Sequence, residues 1–165
     1  MGLQKNIKHA LQSLPVWAGI AAFGFGVFGA TVLSSKPAFS AGQCDKGRVL
    51  SVVAHEDDDL LFLSPDLTKD IGLKKCVTTL YLTAGDAGQG EAYWQSREAG
   101  VAAAYAHLAN RTPVWTSDSL EFAGRKLHRM SLQSGQVVTL LFMRLPDGYG
   151  SGSGYTQTGS VSLKK

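Results

Sequence analysis

The chain has 165 residues, 44% hydrophobic and 18% charged, a globular composition with enough apolar material for one core, and a single domain is expected. Its 16 basic and 13 acidic residues leave a net charge of +3. They are scattered, without the clustered Lys/Arg and interleaved aromatics of a nucleic-acid surface, so no nucleic-acid partner is assigned.

Residues 1–43 are set aside before any fold is argued. Lys5, Lys8 and His9 make a basic start, residues 14–33 (LPVWAGIAAFGFGVFGATVL) carry no charged side chain, and Pro37-Ala38-Phe39-Ser40-Ala41 follows. This is the three-part form of a secretory signal, with Ala38 and Ser40 where a signal peptidase reads small residues. The uncharged run also matches the ~20 residues that span a bilayer core, more than a signal usually has. The expectation is an N-terminal hydrophobic helix, either a cleaved signal peptide or a retained membrane anchor. In both cases the remainder, residues 44–165, is extracytoplasmic.

Residues 49–54 have the near-continuous aliphatic character of a strand buried on both faces, as in a parallel sheet. The run stops at His55, and Glu56-Asp57-Asp58-Asp59 follows at once. Leu60 to Leu63 continue apolar, and Ser64-Pro65 reads as an N-cap and first helical residue of a short helix ending near Gly72. Cys76 directly precedes a second strand over 77–83, and Cys44 shortly precedes the first. If the strands are parallel neighbours, the cysteines share a sheet edge and a disulfide closes a loop of about 32 residues, worth about 3.5 kcal/mol in the chain-entropy model. Two free thiols are the alternative.

A strand, a helical crossover and a parallel strand put both strand ends on one side, with the loop 85–90 beside the acidic cluster. Gly85, Gly88 and Gly90 do not give the dinucleotide fingerprint, and they follow the wrong strand for it. The alanine-rich residues 93–108, with Glu91 ahead of them, predict a second helix, and Gly100 within it suggests close packing on the sheet. Residues 114–122, 125–132 and 137–145 read as three strands of a β-meander added to the α/β core. A glycine-rich run, 146–155, follows the last of them.

A metal hydrolase needs a cation held by a few N or O ligands, a position for water, and a base. His55 offers an imidazole and Asp58 a carboxylate three residues on, while Asp57 points elsewhere and suits a general base. Carboxylates so crowded repel one another unless a cation sits among them. The plain alternative is an acidic helix start, with Asp57 to Asp59 satisfying free amides.

The segments VVAHEDDDLLFL, LYLTAGDAGQG and SREAGVAAAYAHLA, over about residues 48–108, resemble the PIG-L/LmbE-like deacetylases, and MRLPDG with its glycine-rich run resembles secreted members. Those are zinc enzymes that remove the acetyl group from N-acetylglucosaminyl and related substrates. The resemblance implies a Rossmann-like α/β fold with a mostly parallel sheet, Zn2+ on His55 and Asp58, Asp57 as base, and Arg97 in contact with an N-acetylated sugar or glycolipid. Two positions depart from the family hallmark AHPDDE: Glu56 replaces the proline and Asp59 the glutamate. The family's third ligand, a histidine from a C-terminal motif, does not occur before Lys165, so the resemblance implies the N-terminal part of a longer domain. His107, in the alanine-rich helix, and His128, in a meander strand, read as packing or surface residues. A second reading, of another class, is a non-catalytic exported sugar-binding or cell-surface module that kept the fold without a full site.

Overall fold

The computed structural model describes residues 44–133 and 135–164, so the N-terminal hydrophobic helix expected over residues 14–33 lies outside the described part. From Cys44 onward the elements are β1 (Arg48–Val53), α1 (Asp58–Phe62), α2 (Ser64–Gly72), β2 (Cys76–Thr83), α3 (Glu91–Leu108), β3 (Trp115–Phe122), β4 (Arg125–Leu132) and β5 (Val138–Leu145). The predicted strands and long helix fall within a residue or two of these bounds. The short helix α1 has no counterpart among the predicted elements. α2 begins at Ser64 itself, after Leu63, with Pro65 in its first turn.

The sheet has five strands in the order β1-β2-β5-β4-β3. β1 and β2 pair in parallel from Arg48↔Cys76 to Val53↔Tyr81, and β2 and β5 in parallel from Val77↔Val138, whereas β5 with β4 and β4 with β3 are antiparallel. This corrects the expectation of a mostly parallel, Rossmann-like sheet: the sheet is mixed and helices are few. Connection length is the physical reason. A parallel neighbour needs a crossover of a dozen or more residues, which the chain has between β1 and β2 and between β2 and β5. Between Phe122 and Arg125 there are only Ala123 and Gly124, both with positive φ (49° and 72°). That pair of dihedrals makes the two-residue turn whose twist matches an antiparallel hairpin. The meander is therefore an integral part of the sheet, and its last strand lies in the centre.

One face of the sheet is packed. Val77, Tyr81, Val138, Leu140 and Phe142 meet Leu67 and Ile71 of α2 and Val101, Ala102, Tyr105 and Ala106 of α3. These α3 residues recur at the three-to-four spacing that puts them on one side of a helix. Gly100 does not serve that packing: it is exposed, and a side chain there would meet nothing within 4 Å. The other face corrects the expectation that β1 is buried on both sides, for Leu50 is 66% and Val52 53% exposed. On that face, at the cysteine end, lies a groove of about 420 Å³ lined by Leu50, Thr78, Leu120 and Leu141 with Arg48 and Arg129.

Cys44 and Cys76 form a disulfide with Cα atoms 5.4 Å apart, beside the bond from the Cys76 amide to the Gly47 carbonyl. It ties β1 to β2 at the edge opposite the site described below, and a disulfide is a feature of chains in oxidising, extracytoplasmic compartments. Among the described residues no helix is long and apolar enough to cross a membrane. The Cys44→Ser/Cys76→Ser double variant is expected to lose about 3 kcal/mol of unfolding free energy. Urea titration under non-reducing conditions checks this, and an unchanged midpoint would assign the bridge no share in stability.

Candidate active site

Three parallel strands end on the same side of the sheet, where open sheets place their ligand crevices, and each end is followed by acid. Asp57 to Asp59 follow β1, Asp86 follows β2, and Asp147 follows β5. After β1 the chain turns sharply. Asp58 sends its Oδ2 back to the amides of Ala54 (3.2 Å) and His55 (3.0 Å), which folds its carboxylate under the imidazole. His55 Nδ1 lies 3.6 Å from that oxygen, so the two side chains singled out by sequence converge. On the far edge of the ring, Nε2 lies 3.6 Å from Asp147 Oδ1. The acidic helix start forms in part: α1 opens on Asp58 and Asp59, and Asp59 accepts from the Leu60 amide, but the Asp57 side chain caps nothing and Asp58 bonds amides ahead of the helix.

Asp147, in the MRLPDG stretch, has no role in the sequence reading. A signal for it exists, because an acid soon after an apolar strand is the pattern that marks Asp57 and Asp58. What places it is Asp86, 3% exposed, whose Oδ1 accepts from the Asp147 amide at 3.1 Å and whose Oδ2 accepts from the Gly88 amide at 3.1 Å. A buried carboxylate thus joins the loops after β2 and β5.

Arg97, on α3, reaches across to the turn. Its Nε donates to Glu56 Oε2 at 3.2 Å and its Nη2 to Asp57 Oδ1 at 3.0 Å. Arg97 therefore holds the base candidate, while Glu56 is a buried acid at 4% exposure whose Oε1 has no hydrogen-bond partner among the described residues. Gly85 (φ 55°) makes the room, since a Cβ there would sit 2.3 Å from Glu56 Oε2. Burial pushes the Glu56 carboxyl up from 4.5 to about 7, against smaller opposing effects of a backbone hydrogen bond and of Arg97.

Folding therefore favours protonated Glu56, so its contribution to stability is full below about pH 4.5 and is lost as pH rises through about 7. Between pH 5 and pH 8 the wild type should lose up to about 3 kcal/mol relative to Glu56→Gln, because each tenfold change in a group's acidity on folding is worth ~1.4 kcal/mol. His128, which burial shifts down, acts the other way in the acid range but is common to both proteins and cancels. Denaturant titrations across that range check the difference, and a pH-independent gap would contradict it.

Below the turn, Asp59 is fully buried. Its Oδ2 accepts from the Tyr81 hydroxyl at 2.6 Å and the Tyr105 hydroxyl at 2.5 Å, and its Oδ1 from the Leu60 amide at 2.9 Å. Burial, then the neighbouring charge, pushes both tyrosines up, so they remain donors at any working pH. His128 stacks at a tilt on Phe142, 6.0 Å between centroids, and His107 is exposed on α3, both in keeping with packing or surface roles.

His55 and Asp58 are an N/O donor pair of the kind zinc takes, and ligand bonds of about 2.0–2.2 Å span a 3.6 Å gap. Among the described residues no group of three His, Cys, Asp or Glu is arranged to hold a metal. Among the described residues, His55 and Asp58 could hold a metal between them, and Asp147 lies as a further carboxylate against the same imidazole.

No protein-family model, curated protein or solved structure matches the chain. The functional reading therefore rests on the residues and on the motif resemblance.

Proposed function

We propose that the chain is the exported, zinc-dependent hydrolase domain of a PIG-L/LmbE-like de-N-acetylase, acting on an N-acetylated sugar or glycolipid. The observation that carries this reading is the convergence of His55 and Asp58 at the mouth of β1, 3.6 Å apart, with Asp57 beside them on the exposed side. His55 and Asp58 would hold the metal. Zinc, when bound, supplies a water acidified to a pKa of about 7 and a Lewis acid for the acetyl carbonyl. Asp57 takes the proton of the attacking water, and its protonated form returns a proton to the departing amine. Arg97 fixes Asp57 through Oδ1 and leaves Oδ2 to the water, and the part of its guanidinium that stays exposed would meet a substrate hydroxyl or carbonyl. The hydrophobic N-terminal segment leaves the domain secreted or anchored at a membrane surface.

The test is acetate release from N-acetylglucosamine conjugates by the full chain supplied with zinc. Release that depends on zinc is the expected result. Zinc or sugar binding with no release would favour the non-catalytic module.

A further inference from the structure

We propose that Arg144 is a positioning residue, which braces a left-handed bulge at the end of β5 and thereby turns the Asp147 carboxylate onto His55. β2 and β5 pair residue for residue from Val77↔Val138 to Tyr81↔Phe142, but the next pair is Thr83↔Leu145. Two steps on β2 are matched by three on β5, so β5 carries one extra residue. Side chains alternate along a strand, so this residue puts everything after it on the opposite face from an unbroken ladder.

The distortion falls on Arg144, whose φ is 54°, a conformation that glycine adopts freely and an arginine rarely does. Two side chains of α3 grip it there. Arg144 Nε donates to Glu98 Oε1 and its Nη2 to Glu98 Oε2, both at 2.8 Å, and the guanidinium carbon lies 4.6 Å from the Trp94 ring centroid. Trp94 and Glu98 are four residues apart and so share one helix face. Glu98 is only 5% exposed, and the fork-to-fork pair fixes orientation as well as charge. One residue on, the Ala84 amide closes the ladder on the Leu145 carbonyl at 2.8 Å, and two further on Asp147 faces His55 Nε2 at 3.6 Å.

The experiment compares Arg144→Ala with Arg144→Gly in the full chain. Alanine loses the clamp and is strained at positive φ, whereas glycine loses the clamp but keeps the turn without strain. Amide exchange at Asp147, whose N–H is held by Asp86, should quicken about tenfold or more in Arg144→Ala while Leu140 in the ladder is unchanged, and Arg144→Gly should recover most of that protection. If the deacetylase reading holds, on which this arm alone rests, kcat in Arg144→Ala falls about 10- to 100-fold with KM little changed. The proposal is overturned if exchange at Asp147 does not change relative to Leu140, or if glycine is no better than alanine. Wild type that shows the exchange pattern but never releases acetate counts against the deacetylase, not against the positioning role.

Discussion

Asp57→Asn should reduce acetate release by about 10²- to 10⁴-fold, the usual worth of a positioned general base, while zinc affinity stays within about twofold of wild type. The asparagine keeps the shape and the contact its oxygen makes with Arg97 Nη2, so the turn from Ala54 to Asp58 is undisturbed. What is lost is the capacity to accept a proton. His55→Ala and Asp58→Ala should behave in the opposite order, losing zinc first and activity as a consequence. Asp58→Ala also frees the amides of Ala54 and His55, so it should lose some stability as well. Parallel measurement of bound zinc and initial rate separates these cases. Loss of zinc in Asp57→Asn would mean that base and ligand have been exchanged.

Asp59→Ala should cost about 3–5 kcal/mol of unfolding free energy, the largest stability effect expected of any single residue in this turn. Its carboxylate is fully buried and takes hydrogen bonds from two tyrosine hydroxyls and the Leu60 amide. Removing it leaves the Tyr81 and Tyr105 hydroxyls without that acceptor in the core, at roughly 1–3 kcal/mol for each unsatisfied group. Tyr105 keeps part of its satisfaction through the Thr79 hydroxyl at 2.6 Å, so the cost should fall mainly on Tyr81. Tyr81→Phe, which removes one donor but keeps the ring stacked 5.0 Å from Phe142, should cost only about 1 kcal/mol. Urea unfolding of the three proteins checks the ranking. A mild Asp59→Ala would show that the network is not what anchors the start of α1 beneath the site.

How far the sequence speaks depends on the kind of interaction. α3 is legible from its alanine content and acidic start, and β3, β4 and β5 because the turn residues between them, such as Ala123-Gly124, are explicit. The βαβ start and the Cys44–Cys76 bridge follow from compartment and strand order. The apolar run at residues 49–54 misleads, because Leu50 and Val52 look the same in sequence whether or not another layer covers them. Sheet direction is misjudged for a related reason: the strands of the meander are recognisable, but not that β5 lies against β2 and draws β4 and β3 into one mixed sheet. At the site, His55 and Asp58 are found by local spacing, whereas Asp147 joins them from about 90 residues further along. Its approach is decided by Asp86 and by a one-residue bulge, which a local pattern does not display. Glu56 reads in the sequence only as a missing proline, and its burial against Arg97 is a tertiary fact.

Zinc titration of the full chain, followed by calorimetry beside His55→Ala, tests the central claim most directly. One zinc per wild-type chain, with the variant's affinity lower by at least about tenfold, is the result that a metal held by His55 and Asp58 predicts. Equal zinc uptake by both proteins, or none by the wild type, would contradict it.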